Sequence, residues 1–216
     1  EWKADEIDFD ESRYLNAHTD YGTYERTGAM YQRCFALPGD RHSNYSRTES
    51  LGAVTLYKDV PTKITLKASD AYGNLSTATF WALRGEPDPY PTHPDCIELP
   101  YDTENRVDME GFSLIMPKGA LYETLWFEYK SSPRQPETYS AIHRVHKSTT
   151  PLHLYSTIRI RPEALPERLR EKAVIARYRP GRRPINCGGT WDGDALSTRV
   201  REFDDYCSMA DHTAPT

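Results

Sequence analysis

No stretch of this sequence stays apolar for more than a few residues, far short of the roughly 20 that a helix needs to cross a bilayer. Positive charge is not in surplus either. Lys and Arg number 27 against 32 Asp and Glu, a net charge of −5 over 216 residues. A protein that wraps duplex phosphates needs a basic surface, so nucleic acid is excluded as the partner. Glycine (12) and phenylalanine (6) are scarce beside proline (16) and tyrosine (15). Apolar residues make up 38% of the chain, enough to exclude a disordered polar polymer. The first residue is Glu1, with no charged-then-apolar leader, which reads as a processed protein or a fragment.

Motifs that carry familiar chemistry are missing as well. The four cysteines, Cys34, Cys96, Cys187 and Cys207, form no CxxC, which argues against a zinc ribbon. They are either buried reduced thiols or a disulfide framework. In the second case Cys187–Cys207 is the favoured pair. The chain has no GxSxG, HExxH, GxGxxG or GxxxxGK[ST], so no nucleophile elbow, zinc helix or phosphate cradle is visible. His143 and His146 make an HxxH. On the strand expected there they point to opposite faces, as ordinary surface histidines. The acidic start (Asp5, Glu6, Asp8, Asp10, Glu11) alternates with Ile7 and Phe9, which fits a half-buried edge strand better than a calcium loop. No residue is assigned a catalytic, cofactor-binding or metal-binding role, and no cofactor is expected.

What the chain has in plenty is the grammar of strands. Proline interrupts helices, and tyrosine and tryptophan suit half-buried sheet faces. Residues 54–57, 64–68, 77–83, 112–116, 125–129 and 173–178 read as strands. Asp70-Ala71-Tyr72-Gly73-Asn74 is a turn that joins two of them into a hairpin. The cleanest strand is residues 152–161, where Leu152, Leu154, Ser156, Ile158 and Ile160 share the buried face and His153, Tyr155, Thr157, Arg159 and Arg161 the wet one. Residues 163–172 have room for a helical turn or two, limited by Pro166. Residues 85–95 hold four prolines and form a semi-rigid linker. The expectation is an all-β chain of two immunoglobulin-like β-sandwich domains, residues 1–86 and 96–216, divided at 87–95. Nine Lys and Arg crowd residues 159–183. Interspersed Glu163, Glu167 and Glu171 make them read as solvated faces rather than a patch for an anionic partner.

The order of several short strings carries a resemblance. Arg13-Tyr14 and His18-Thr19-Asp20-Tyr21 come first, then Leu37-Pro38-Gly39, Tyr45, Gly52 and the turn at Asp70 running on to Leu75-Ser76. Gly119-Ala120-Leu121-Tyr122, Pro151-Leu152, Gly188-Gly189, Arg201-Glu202-Phe203, Asp211 and Pro215 follow. In this order they resemble the β-sandwich segments that follow the catalytic domain in lysostaphin-like (LytM-type) zinc metallopeptidases of Gram-negative envelopes. Asp204 stands where that pattern has glycine. The family cuts peptidoglycan cross-links with zinc held by His-x3-Asp and His-x-His. Here the fourth residue after each histidine is Gly22, Ser46, Ile97, Lys147, Thr150, Thr157 or Thr216, and no two histidines are separated by one residue. The resemblance therefore implies only an accessory role in the periplasm or at the cell surface: positioning a neighbouring domain or binding a protein partner. A carbohydrate-binding module for peptidoglycan or another glycan, and a subunit of an outer-membrane assembly, are the alternatives.

Overall fold

A computed structural model of the chain describes residues 1–3, 9, 11–46, 49–86, 89 and 92–211. The edge strand expected at residues 5–11 lies outside these, apart from Phe9 and Glu11, and so do residues 87, 88, 90 and 91 of the proline-rich stretch.

Two short helices open the chain, α1 (Leu15–His18) and α2 (Tyr21–Thr27). The Asp20 carboxylate caps α2 by accepting from the Thr23 amide at 3.0 Å and the Thr23 hydroxyl at 2.8 Å. A hairpin follows, β1 (Thr62–Ser69) and β2 (Leu75–Ala82). Its turn is the expected one. The Asp70 carboxylate accepts from the Tyr72 and Asn74 amides at 2.9 Å each, and Gly73 takes a left-handed φ of 84°. No strand forms at residues 54–57. Val54 and Tyr57 are 53% and 64% exposed, so the apolar alternation read there has nothing to pack on.

The remaining strands are β3 (Ile97–Leu99), β4 (Asn105–Met109), β5 (Phe112–Met116), β6 (Leu125–Phe127) and β7 (Tyr129–Ser132). They continue with β8 (Ile142–Val145), β9 (Pro151–Ile160), β10 (Ala173–Arg177), β11 (Ile185–Asn186), β12 (Thr190–Asp192), β13 (Ala195–Glu202) and β14 (Asp205–Ala210). One five-stranded antiparallel sheet runs β11-β10-β14-β8-β7 and another β12-β13-β9-β5-β4, with β3 and β6 paired separately. The fold is all-β.

Both large sheets contribute to one core. Leu114, Ile158, Ile160 and Leu196 come from one, Val145, Ile175 and Tyr206 from the other, and Phe127 from the small pair. Each fully buried aliphatic side chain contributes about 1.5–3 kcal/mol. β9 shows why the strand forms where the alternation places it: Leu152, Ser156, Ile158 and Ile160 are buried, and Tyr155 between them is exposed.

The proline-rich stretch predicts a boundary at residues 87–95. Packing in the structure groups Glu1–Leu51 with His93–Thr216 and sets Gly52–Thr92 apart as a second compact unit. Among the described residues before 87, the only strands are those of the β1–β2 hairpin. The physical reason is in residues 11–46, which carry two short helices and dock on the β-sheet region instead of building sheets of their own.

Candidate functional site

The docking of residues 11–46, a strap across the larger unit, starts from Tyr14. Its ring stacks on His153 of β9 with centroids 4.2 Å apart. The Tyr122 hydroxyl donates to the Arg13 carbonyl at 2.7 Å and lies 3.2 Å from His153 Nδ1. A phenol has one proton to give, so His153 carries its own on Nδ1 and donates it to Tyr122. The Gly39 amide donates to the Tyr122 carbonyl at 2.7 Å. Ala17, Leu37 and Tyr122 form a small buried cluster beneath, with Tyr14 packed against it.

Further along the strap, Trp2 stacks on His18 at 4.2 Å, and His18 Nδ1 lies 2.9 Å from the Tyr45 hydroxyl. Arg33 closes the strap by donating through Nη1 to the carbonyls of Ala17 and Thr19, 2.6 Å each.

This histidine-rich seam is electrostatically tuned. Burial lowers the His18 pKa, helped by His42 and Arg33. Burial also lowers that of His153, and the neighbouring Arg13, Arg201 and Arg41 add to the shift. Burial raises Asp40, and it pushes the Tyr45 phenol up to about 12, Asp40 adding to that shift. Beside the seam is a cleft of about 410 Å³ with Tyr21, Arg33, Tyr122, Trp126 and Lys147 among its walls. The Trp126 indole there is held by a stack on His93, centroids 4.8 Å apart.

The side chains singled out by spacing land elsewhere. His143 and His146 are not surface residues: they are 1% and 9% exposed. His143 packs against the stacked rings of Phe112 and Tyr129, with its Nδ1 2.7 Å from the Tyr129 hydroxyl. His146 follows the end of β8 with a left-handed φ of 54°. Its Nδ1 accepts from the Glu128 amide at 3.2 Å, so the ring proton sits on Nε2, 3.1 Å from the Thr150 hydroxyl. Burial pushes both histidines down to about 4. Among the described residues, no group of three or more His, Cys, Asp or Glu side chains is arranged to hold a metal ion.

All four cysteines are free. Cys207 on β14 pairs with Ala176 of β10, and the Cys187 amide bonds Ile175 on the far side of β10. A strand lies between the two thiols. Two strand spacings, roughly 9.5 Å, exceed a disulfide's reach.

Four arginines of the basic run of residues 159–183 are paired with acids. Arg159 pairs with Asp192 at 3.1 Å, Arg161 with Asp194 at 3.6 Å and Arg179 with Asp204 at 2.7 Å, while Arg177 pairs with Glu202. Arg170 covers the Trp191 ring at 3.9 Å. Asp204, 9% exposed, also caps its own neighbour by accepting from the Asp205 amide at 2.9 Å. A glycine there would leave Arg179 without its acid.

The smaller unit offers a different kind of surface. Cross-strand register puts Ile64 opposite Phe80 and Leu66 opposite Ala78, with Thr62, Ala68, Ser76 and Ala82 on the same face. Lys63, Thr65, Lys67 and Thr77 share the other face with Thr79 and Trp81. The hairpin is thus amphipathic. Leu66 and Phe80 on its apolar face are 39% and 47% exposed.

A family model for the Zu5-like domain matches residues 98–211, the span from β3 through β14. No curated protein matches the chain.

Proposed function

The chain belongs to the Zu5-like domain family, and we propose that it serves as a non-catalytic β-sandwich module of a cell-envelope protein that positions a neighbouring domain or binds a protein partner. One observation carries this reading: the β1–β2 hairpin presents an apolar face on which Leu66 and Phe80 are exposed and Ile64 is half-buried. A lone two-stranded hairpin is marginal in water and becomes stable when its apolar face is covered. We read residues 96–211 as one β-sandwich, and the hairpin as part of a second, immunoglobulin-like sheet whose apolar face a neighbouring domain or partner covers. The order of motifs from Arg13-Tyr14 to Arg201-Glu202-Phe203 supports a peptidoglycan endopeptidase-like parent in the periplasm or at the cell surface.

Amide hydrogen exchange across residues 62–82 tests the reading. In the isolated chain the hairpin should exchange within seconds. In the parent protein, or with its partner bound, the same amides should be protected at least tenfold, about 1.4 kcal/mol of added local stability. Equal exchange in both states would discard the hairpin as a docking element. Co-sedimentation of the isolated chain with purified peptidoglycan sacculi decides the rival reading, since retention there would make it a glycan-binding module.

A further inference from the structure

A different surface, independent of the hairpin, carries a binding site. β9 and β13 are neighbours in one sheet, and their wet faces place Tyr155 beside Arg199 and Arg201. The two guanidinium carbons lie 5.1 and 5.3 Å from the centroid of the Tyr155 ring, which is 45% exposed. Two residues back on the same face stands His153, and Arg13 and Arg41 from the strap join Arg201 in acting on its imidazole. Four arginines thus converge on one end of the sheet.

Among the described residues none of these four has an ion-pair partner. On the same sheet, by contrast, Arg106, Arg159 and Arg161 pair with Asp108, Asp192 and Asp194. The chain carries 32 acids against 27 bases, yet among the described residues no carboxylate forms an ion pair with these four; Asp40 is the acid that acts on the adjoining Tyr122. Clustered like charges repel, and an aromatic ring under two guanidinium groups offsets only part of that repulsion. Stacking also leaves the guanidinium N–H edges free, which is the geometry that grips a planar or tetrahedral oxyanion with two parallel hydrogen bonds.

We propose that Arg13, Arg41, Arg199 and Arg201, arranged around His153 and Tyr155, form a binding site for a ligand carrying several oxyanions, carboxylate or phosphate. The spread of the four groups over the strap and β13 suits a ligand with more than one charge. Arg159, Arg161, Arg177 and Arg179 of the run at residues 159–183 have less of this capacity, because their guanidinium groups already hold carboxylates.

The test is a chemical-shift titration of the whole chain with tripolyphosphate and, separately, with citrate. The expected result is saturable shifts at Arg13, Arg41, His153, Tyr155, Arg199 and Arg201, weakened by added salt. Saturation by both probes defines a general oxyanion site, and saturation by one alone defines its preferred chemistry; either supports the proposal. The double variant Arg199→Gln/Arg201→Gln should weaken binding by about tenfold or more, the loss expected when a charge-assisted pair of hydrogen bonds is removed. Arg13→Gln/Arg41→Gln should do the same from the strap side. Arg159→Gln/Arg161→Gln should change it less than about twofold, since both side chains are engaged elsewhere. Equal loss in all three variants, shifts centred on residues 159–183, or no saturable shift with either probe would overturn the proposal. Unchanged melting of the surface variants separates lost binding from lost fold.

Discussion

The phenol ring of Tyr14 lies on the imidazole of His153 with the planes 23° apart, a stack between the strap and the central strand β9. It joins two parts of the chain that no backbone ladder connects. Aromatic pairs of this kind contribute about 0.5–1.5 kcal/mol beyond their burial. Tyr14→Ala should therefore lower unfolding stability by about 2 kcal/mol, and Tyr14→Phe by under about 0.5 kcal/mol. Urea denaturation checks both. Faster exchange of the Gly39 amide in the alanine variant would localise the loss to the seam.

Gly39 is needed for space. A Cβ built on it would stand 2.8 Å from both the Leu121 and Tyr122 carbonyl oxygens. Those are backbone atoms that cannot swing away. Gly39→Ala should break the amide bond to Tyr122 and cost about 2 kcal/mol or more. Gly22 within α2 is the contrast, because its nearest contact would be the Asp20 carboxylate at 3.7 Å. Gly22→Ala should stabilise by about 0.5–1 kcal/mol. Paired melting curves of the two variants test the distinction.

Acid should loosen the core before it reaches the carboxylates. His143 and His146 titrate near 4 in the folded protein because burial penalises their charged forms. Unfolded histidine titrates near 6.5. The folded state therefore binds protons less readily, and the stability tied to these rings is complete above about pH 6.5. It is lost as pH falls from there towards 4, by about 1.4 kcal/mol per pH unit for each ring. His143→Phe keeps the stack with Phe112 and removes one titrating group. That variant should be less stable at pH 7.5, where the Tyr129 hydroxyl loses its partner, and should show a shallower acid slope. An unchanged slope between pH 6.5 and 4 would exclude His143 as a source.

Thiol chemistry should sort the cysteines by position. Burial pushes the Cys207 thiol up to about 12, and Cys34 is exposed. A thiol reagent at pH 8 should label Cys34 within minutes in the native protein and reach Cys207 only on unfolding. Mass analysis after mild oxidation should show no Cys187–Cys207 bridge, because β10 stands between those residues.

Local grammar was readable wherever the partner strand only confirmed it. Residues 112–116 are β5 to the residue, residues 152–161 differ from β9 by one position, and the turn at Asp70 sits where its side-chain bonds require. Long-range facts were not readable. Alternation at residues 54–57 looks like strand, yet a strand exists only where another pairs with it. The strap could not be foreseen, because Arg13, Tyr14 and Gly39 meet Tyr122 and His153 through tertiary contacts that leave no periodic trace. The same blindness hid the cationic cluster. In the densest basic run of the sequence, residues 159–183, the fold supplies carboxylates to Arg159, Arg161, Arg177 and Arg179. Arg13, Arg41, Arg199 and Arg201 are dispersed in sequence and meet only in space. The one local hint was Arg199-x-Arg201 on a strand, where alternate residues share a face.

The bond from Tyr122 to the Arg13 carbonyl joins residues 109 positions apart, and that distance sets a timetable for synthesis. The strap leaves the ribosome long before Tyr122 or His153 has been translated, an interval on the order of ten seconds at ordinary elongation rates. Until β9 emerges, Tyr14, Ala17, His18 and Leu37 have no surface to settle on. The nascent chain therefore passes through a stage in which these side chains are open to chaperones and to wrong partners, and the seam closes only once β9 has emerged.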